Sequence, residues 1–95
     1  MPLTEDLIAG LRKLRRNYRT MATMIDNMRV YIGALGDRYE TAARLAPMFV
    51  IGARKLANEA DAILKAETYT PDQLRSLHEQ ALTLEIQHEE IFGPS

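Results

Sequence analysis

The fold is decided by residues 4–36, which read TEDLIAGLRKLRRNYRTMATMIDNMRVYIGALG. Apolar residues recur there at alternating spacings of four and three: Leu7, Leu11, Leu14, Tyr18, Met21, Ile25, Met28, Ile32 and Leu35. This heptad pattern places one apolar stripe along a helix and is typical of helices that pair as a coiled coil. Thr4 is a favourable N-cap and Gly36 a favourable residue after the C-terminus. We therefore predict a helix over about residues 5–35.

A second helix is predicted over about residues 38–66. Its apolar stripe again follows spacings of three and four: Tyr39, Ala42, Ala46, Phe49, Ala53, Leu56, Ala60 and Ile63. Asp37 and Glu40 match the capping-box pattern across its start. Pro47 interrupts the stripe. Because a proline removes one backbone hydrogen bond and crowds the carbonyl of Ala43, we expect a kink there rather than the end of the helix.

A third helix is predicted over about residues 71–92. Thr70 is suited to be its N-cap, Pro71 occupies the first helical position, and Gln73 stands at the capping-box position. Its shorter stripe consists of Leu74, Leu77, Ala81, Leu84, His88 and Ile91. Gly93 follows the stripe as a stop signal.

The predicted fold class is all-α, with one domain over residues 1–95. Only Gly36 and Asp37 separate the first two helices, so these helices should form a long antiparallel hairpin. Their stripes then pair in mirror register, with Ile25 facing Phe49, for example. At about 1.5 Å per residue the hairpin is roughly 45 Å long, and the shorter third helix covers only part of it. Since so short a chain buries little surface, we expect self-association to complete a bundle.

Composition and charge exclude several classes of protein. The chain has no cysteine, which excludes a disulfide framework and thiolate chemistry. Residues 1–6 are acidic where a signal peptide requires positive charge, and the longest apolar run, residues 45–51, is too short to cross a bilayer. We therefore expect a cytoplasmic protein without membrane association. The net charge is −1, but residues 1–38 are basic and residues 39–95 acidic.

One candidate surface is apolar and lies in the middle of the hairpin. Residues 45–51 are apolar on every side of their helix, and Met24, Val30 and Tyr31 lie off the first stripe. A wide core would explain this pattern, but we favour an exposed apolar belt that binds a partner, most simply a second copy of the chain, giving a homodimer. The predicted partner-binding residues are Met24, Val30, Tyr31, Leu45, Met48, Val50 and Ile51.

The other candidate surface is basic and consists of Arg12, Lys13, Arg15, Arg16 and Arg19. Such a cluster is suited to the phosphates of nucleic acid or to an acidic protein. Arg12 and Arg16 lie across the predicted hairpin from two acidic residues. These are Glu59 and Asp61, which could pair with the arginines, so we favour a solvated face of ion pairs. A pI of about 6.1 also argues against a dedicated nucleic-acid-binding protein.

No catalytic or metal site is predicted. Glu85 and His88 have the Glu-x-x-His spacing of half a di-iron carboxylate site, but the sequence lacks the other half. Phosphate loops, nucleophile elbows and zinc motifs are absent from it as well. We expect no cofactor and a non-enzymatic helical interaction protein: an adaptor, inhibitor, chaperone or assembly component. Nucleic-acid binding by the Arg12–Arg19 patch is the alternative, followed by a small-molecule enzyme with a site between helices.

Overall fold

The computed structural model describes residues 1–36 and 39–93, and in these residues the chain forms three helices. They are α1 (Glu5–Ala34), α2 (Glu40–Ala66) and α3 (Pro71–Phe92). The all-α class is confirmed, and the ends of the helices differ from the predicted ones by at most two residues.

Local capping explains where α1 and α3 begin. The hydroxyl of Thr4 accepts a hydrogen bond from the backbone N–H of Leu7 at 3.2 Å. At the start of α3, the backbone N–H of Gln73 donates to the Thr70 hydroxyl at 3.2 Å, and the Gln73 side chain accepts from the Thr70 N–H at 2.8 Å. Gly36 follows α1 with a φ of +86°, a conformation that glycine adopts without a steric penalty. These three predicted signals are confirmed.

The start of α2 differs from the prediction. The helix begins at Glu40, and Tyr39 precedes it without a side-chain capping hydrogen bond. The expected capping residue, Asp37, lies outside the described residues. As expected, α2 continues through Pro47 instead of ending there. A kink at this position stays a prediction.

The three helices form an elongated molecule of 49 × 20 × 20 Å, close to the predicted length of the hairpin. Both α1 and α3 pack on α2. α3 runs antiparallel to α2, because Gln80 near its middle donates to Glu59 while His88 near its end lies beside Phe49. α3 therefore covers only part of the hairpin, as predicted, and it ends before the turn between α1 and α2, so the tip of the hairpin is uncovered.

The predicted stripe of α2 forms the core. Every member of that stripe from Ala42 to Ile63 is buried, whereas in α1 Met28 and Leu35, near the tip, are exposed. Gly52 brings α3 close to α2, since a Cβ at this position would lie 2.9 Å from the Cδ2 atom of Leu84. α2 thus packs against two helices at once and buries more than one stripe.

Candidate functional site

One side of the α1–α2 hairpin is held by ion pairs. Arg15 Nη1 lies 2.6 Å from Asp61 Oδ1, and Lys65 Nζ lies 2.9 Å from Asp61 Oδ2. Further towards the tip, Arg54 Nη2 of α2 lies 3.5 Å from Asp26 Oδ2 of α1. Asp26 follows Arg15 by eleven residues, or about three helical turns, so both lie on the same side of α1. We call this the ion-pair side.

Asp61 is the centre of the ion-pair side. Hydrogen bonds from Lys65 and Arg15 stabilise its ionised form and lower the pKa of its carboxyl group. Arg19 Nη2 is a third cation, 3.9 Å from Asp61 Oδ2. This carboxylate therefore neutralises part of the basic segment of α1 within the chain.

The basic segment forms ion pairs with α2, as predicted, but the cations in these pairs differ from the predicted ones. We expected Arg12 and Arg16 to pair with acidic residues of α2, yet within residues 1–36 and 39–93 neither of them forms an ion pair. Asp61 binds Arg15 instead. Arg15 follows the buried Leu11 by one turn and so faces α2, whereas Arg12 and Arg16 lie about 100° or more around the helix from Leu11.

The five predicted cations do not form one surface. Lys13 precedes Met24 by eleven residues and lies on the same side of α1 as Met24, away from Arg15. Glu59, the other acid expected to face the patch, accepts a hydrogen bond from Gln80 and so helps to hold α3 on α2. The basic segment is therefore divided between different sides of α1.

The opposite side of the hairpin carries α3, and a cleft of about 450 Å³ separates α3 from α1. Phe49 of α2 forms the floor of this cleft and is only 1% exposed. The walls of the cleft include Tyr18 and Met21 of α1, and Leu82, Glu85, His88 and Glu89 of α3. Among the described residues, two acidic side chains line the cleft and no lysine or arginine does, which makes the described cleft acidic.

Aromatic rings and carboxylates share the cleft. The His88 ring lies between those of Phe49 and Phe92, with centroid distances of 6.0 Å and 4.7 Å. Burial and the negative charge of Glu85 raise the pKa of Tyr18. In the described part of the chain, no group of three or more histidine or acidic side chains is placed to hold a metal ion. The aromatic rings and the carboxylates make the cleft suited to apolar and basic side chains.

Exposed apolar residues extend the cleft along α1. Met24 and Met28 follow the cleft residue Met21 by three and seven residues, so they lie on its side of the helix. Tyr31 and Leu35 continue the same spacing towards the tip. Tyr31 is 73% exposed, and Met24 and Leu35 are also more than half exposed.

α3 presents apolar residues to the same face. Ile86 follows the cleft residue Leu82 by one turn, and the Phe92 ring contacts His88. All three apolar side chains are about half exposed. We call the resulting surface the α1–α3 face and define it by its exposed apolar side chains: Met24, Met28, Tyr31, Leu35, Leu82, Ile86 and Phe92.

Part of the predicted apolar belt belongs to this face and part does not. Met24 and Tyr31 lie on it. Val50 is 3% exposed and packs in the core, so its prediction as a partner-binding residue is wrong. Because α2 contacts both α1 and α3, Val50 is covered although it lies off the stripe. Leu45 is half-buried.

The other predicted belt residues are exposed on different sides of the molecule. Met48 lines a groove with Gln87, on the edge of α3 away from the cleft. Ile51 lies on the back of α2 and is 70% exposed. Val30 follows Asp26 by one turn and therefore lies on the ion-pair side. The belt is consequently not a continuous surface.

The residues that α3 contributes to the face are not among the partner-binding residues predicted from the sequence. A signal for them exists, because Leu82 and Ile86 are one turn apart and lie off the predicted stripe of α3. Leu82 and Ile86 are far from Met24 in the sequence. Only the packing of α3 beside α1 brings these residues to one face, so spacing along the chain does not relate them.

Comparisons with protein families, with curated proteins and with solved structures find no match to this chain. Within the described residues, no helix has both the length and the apolar character required to cross a bilayer.

Proposed function

We propose that this chain is a non-enzymatic cytoplasmic interaction protein that binds a protein partner through the α1–α3 face, as an adaptor, inhibitor, chaperone or assembly component. The observation that carries the proposal is the row of exposed apolar side chains on α1, which continues past the end of α3. Large exposed apolar patches on small monomers mark contact sites for other proteins.

The spacing of this row favours a helical partner. Met24, Met28, Tyr31 and Leu35 stand at intervals of four, three and four residues, which is the arrangement by which one helix packs on another. Tyrosine and methionine are enriched in protein interfaces, and methionine adapts its shape to the surface that it meets.

The charge of the cleft favours a partner with basic residues beside its apolar ones. Glu85 and Glu89 line the wall of the cleft that α3 forms, and Met21 lines the opposite wall, on α1. Opposite charges across an interface speed association and exclude wrong partners. A basic amphipathic helix is therefore the best match.

A pull-down from the native host with three tagged proteins tests the proposal. They are the wild type, a face variant with Tyr31→Asp and Ile86→Asp, and a control with Ile51→Asp on the back of α2. We expect wild type and control to retain the same partner, and the face variant to lose it. A partner that the face variant retains, or that the control loses, contradicts the assignment of the surface.

Nucleic-acid binding is the second candidate, favoured by the exposed Arg12 and Arg16, which form no ion pair in the described residues. Titration of labelled single- and double-stranded oligonucleotides at rising salt tests it, since phosphate contacts must weaken steeply as salt increases. Absence of binding at low salt, or binding that does not change with salt, excludes this candidate.

A further inference from the structure

We propose that the partner on the α1–α3 face is a second copy of this chain, in a two-fold dimer whose axis runs parallel to the helices, so that α1 of each copy packs on α3 of the other. This inference rests on the proposed function of the same face. It names the partner and its orientation.

Opposite charges on the two helices support a second copy. α1 contains six basic and three acidic residues, a net charge of +3, whereas α3 contains one basic and five acidic residues, a net charge of −4. Among the described residues, no ion pair joins α1 to α3 within one copy. Arg15, Arg19 and Arg29 are paired with aspartates on the ion-pair side. The charges on the face itself are Lys13 of α1 and the two cleft glutamates of α3, and a second copy would bring these opposite charges together.

The same charges select one of two symmetric arrangements. If the two-fold axis crossed the helices, α1 would lie on α1 and α3 on α3, and like charges would be adjacent. If the axis runs parallel to the helices, each basic α1 lies beside α3 of its own copy and α3 of the other copy. Helices of like charge are then on the diagonal of a four-helix core, where they are farthest apart.

Apolar side chains match in this arrangement. α1 and α3 both run antiparallel to α2, so they are parallel to each other, and an axis along them keeps residues at the same height. Met21 shares the cleft with Leu82 and Glu85, which places Met24, one turn later, at the height of Ile86. Met24 therefore meets Ile86 of the other copy, and the next turn of α1, at Met28, reaches Phe92 of the other copy. Tyr31 and Leu35 lie past the end of α3 in both copies.

The size of the face suits a stable dimer. α3 has 22 residues and is therefore about 33 Å long, and the molecule is 20 Å wide. The side of the molecule that carries the face thus has an outline on the order of 700 Å², which gives room for the roughly 800 Å² of accessible surface that each partner contributes to a standard interface. The apolar residues of both copies would enclose the two clefts between them.

Disulfide trapping tests the arrangement. Because the chain has no cysteine, an introduced cysteine is the single thiol of its variant, and a disulfide shows which two positions come together. A tagged Met24→Cys protein is mixed with an untagged Ile86→Cys protein under mild oxidation. Both residues are more than half exposed, and thermal melting of each variant verifies its fold. We expect the disulfide between Met24→Cys and Ile86→Cys to form about 100-fold faster than the disulfide between two Ile51→Cys control chains, because the interface raises the effective concentration of the two thiols.

Two results overturn the inference. Predominant Met24→Cys or Ile86→Cys homodimers would place like helices together and contradict the axis. Cross-linking no faster than that of the Ile51→Cys control would show that no second copy occupies the face. The pull-down with the face variant then decides independently whether the face binds another protein.

Discussion

On one side of the α1–α2 hairpin the charges find partners within the chain, whereas on the other side apolar side chains extend beyond the helix that covers them. Asp61 and Asp26 connect the two helices on the ion-pair side. The α3 side is covered near the base of the hairpin by α3, and Tyr31 and Leu35 lie exposed past the end of α3. The ion-pair side is complete in the single chain, and the α3 side is not. This difference is the reason to locate binding on the α1–α3 face.

The two sides also differ in how much they stabilise the fold. Exposed ion pairs contribute about 0–1 kcal/mol each, because water screens them and the long side chains lose freedom. Burial of apolar surface contributes about 25 cal/mol per Å², so one buried aromatic side chain outweighs several such pairs. We therefore expect substitutions under α3 to have the largest effects on stability, and substitutions on the ion-pair side to have smaller ones.

The largest effect is expected for Phe49→Asp. This substitution places a carboxylate under the cleft, without a partner, and removes the ring that packs beside His88. We expect the free energy of unfolding to fall by about 4 kcal/mol or more. Chemical denaturation measures it, with Ile51→Asp as the control, for which a change within about 0.5 kcal/mol is expected. Equal stability of the two variants would contradict the packing described for Phe49.

A smaller loss is expected for Gly52→Val. A Cβ at this position lies 2.9 Å from the Cδ2 atom of the buried Leu84, so either the Leu84 side chain or α3 itself must shift. Overpacking of this kind costs about 1–3 kcal/mol. The matched control is Gly10→Val in α1, where no atom lies within 4 Å of the added Cβ. A Gly52→Val protein as stable as its control would mean that α3 does not approach α2 at Gly52.

The smallest loss is expected for Asp61→Asn and depends on pH. The pKa of Asp61 in the folded chain is lowered, first by Lys65 and then by Arg15. The ionised carboxylate therefore stabilises the fold above the pKa of the unfolded chain, and this contribution is lost as pH falls through the folded pKa. Wild type should be more stable than Asp61→Asn at neutral pH, with the difference disappearing in acid.

Thermal melting of wild type and Asp61→Asn across the acid range measures this difference. Asp72→Asn is the control, since Asp72 is exposed and its ion pair in the described residues is with Arg75 of its own helix. A difference between wild type and Asp61→Asn that persists at the lowest pH would contradict the ion-pair account.

The positions of the helices could be predicted because their signals are local. Thr4, Thr70 and Gln73 cap helices through hydrogen bonds to residues three positions away. The stripe of α2 predicted its buried face, which is set by helical periodicity alone. The partial cover of the hairpin by α3 could also be predicted, because it follows from the lengths of the helices.

The candidate surface could be predicted only in part, because it depends on where α3 lies around α2. The close approach at Gly52 sets that position, and no spacing within α3 encodes it. Consequently the sequence pattern predicts an exposed Val50, and it does not indicate that Ile86 lies near Met24. The contact between the Tyr69 N–H and the Met1 carbonyl, 3.0 Å long, is likewise set by the packing of distant segments.

Sedimentation equilibrium of the purified chain at tens of micromolar tests the central claim most directly. The account predicts that the wild type is a dimer, that Ile86→Asp is a monomer, and that Ile51→Asp remains a dimer. A wild-type chain that is monomeric at this concentration, or an Ile86→Asp variant that stays dimeric, would contradict self-association through the α1–α3 face.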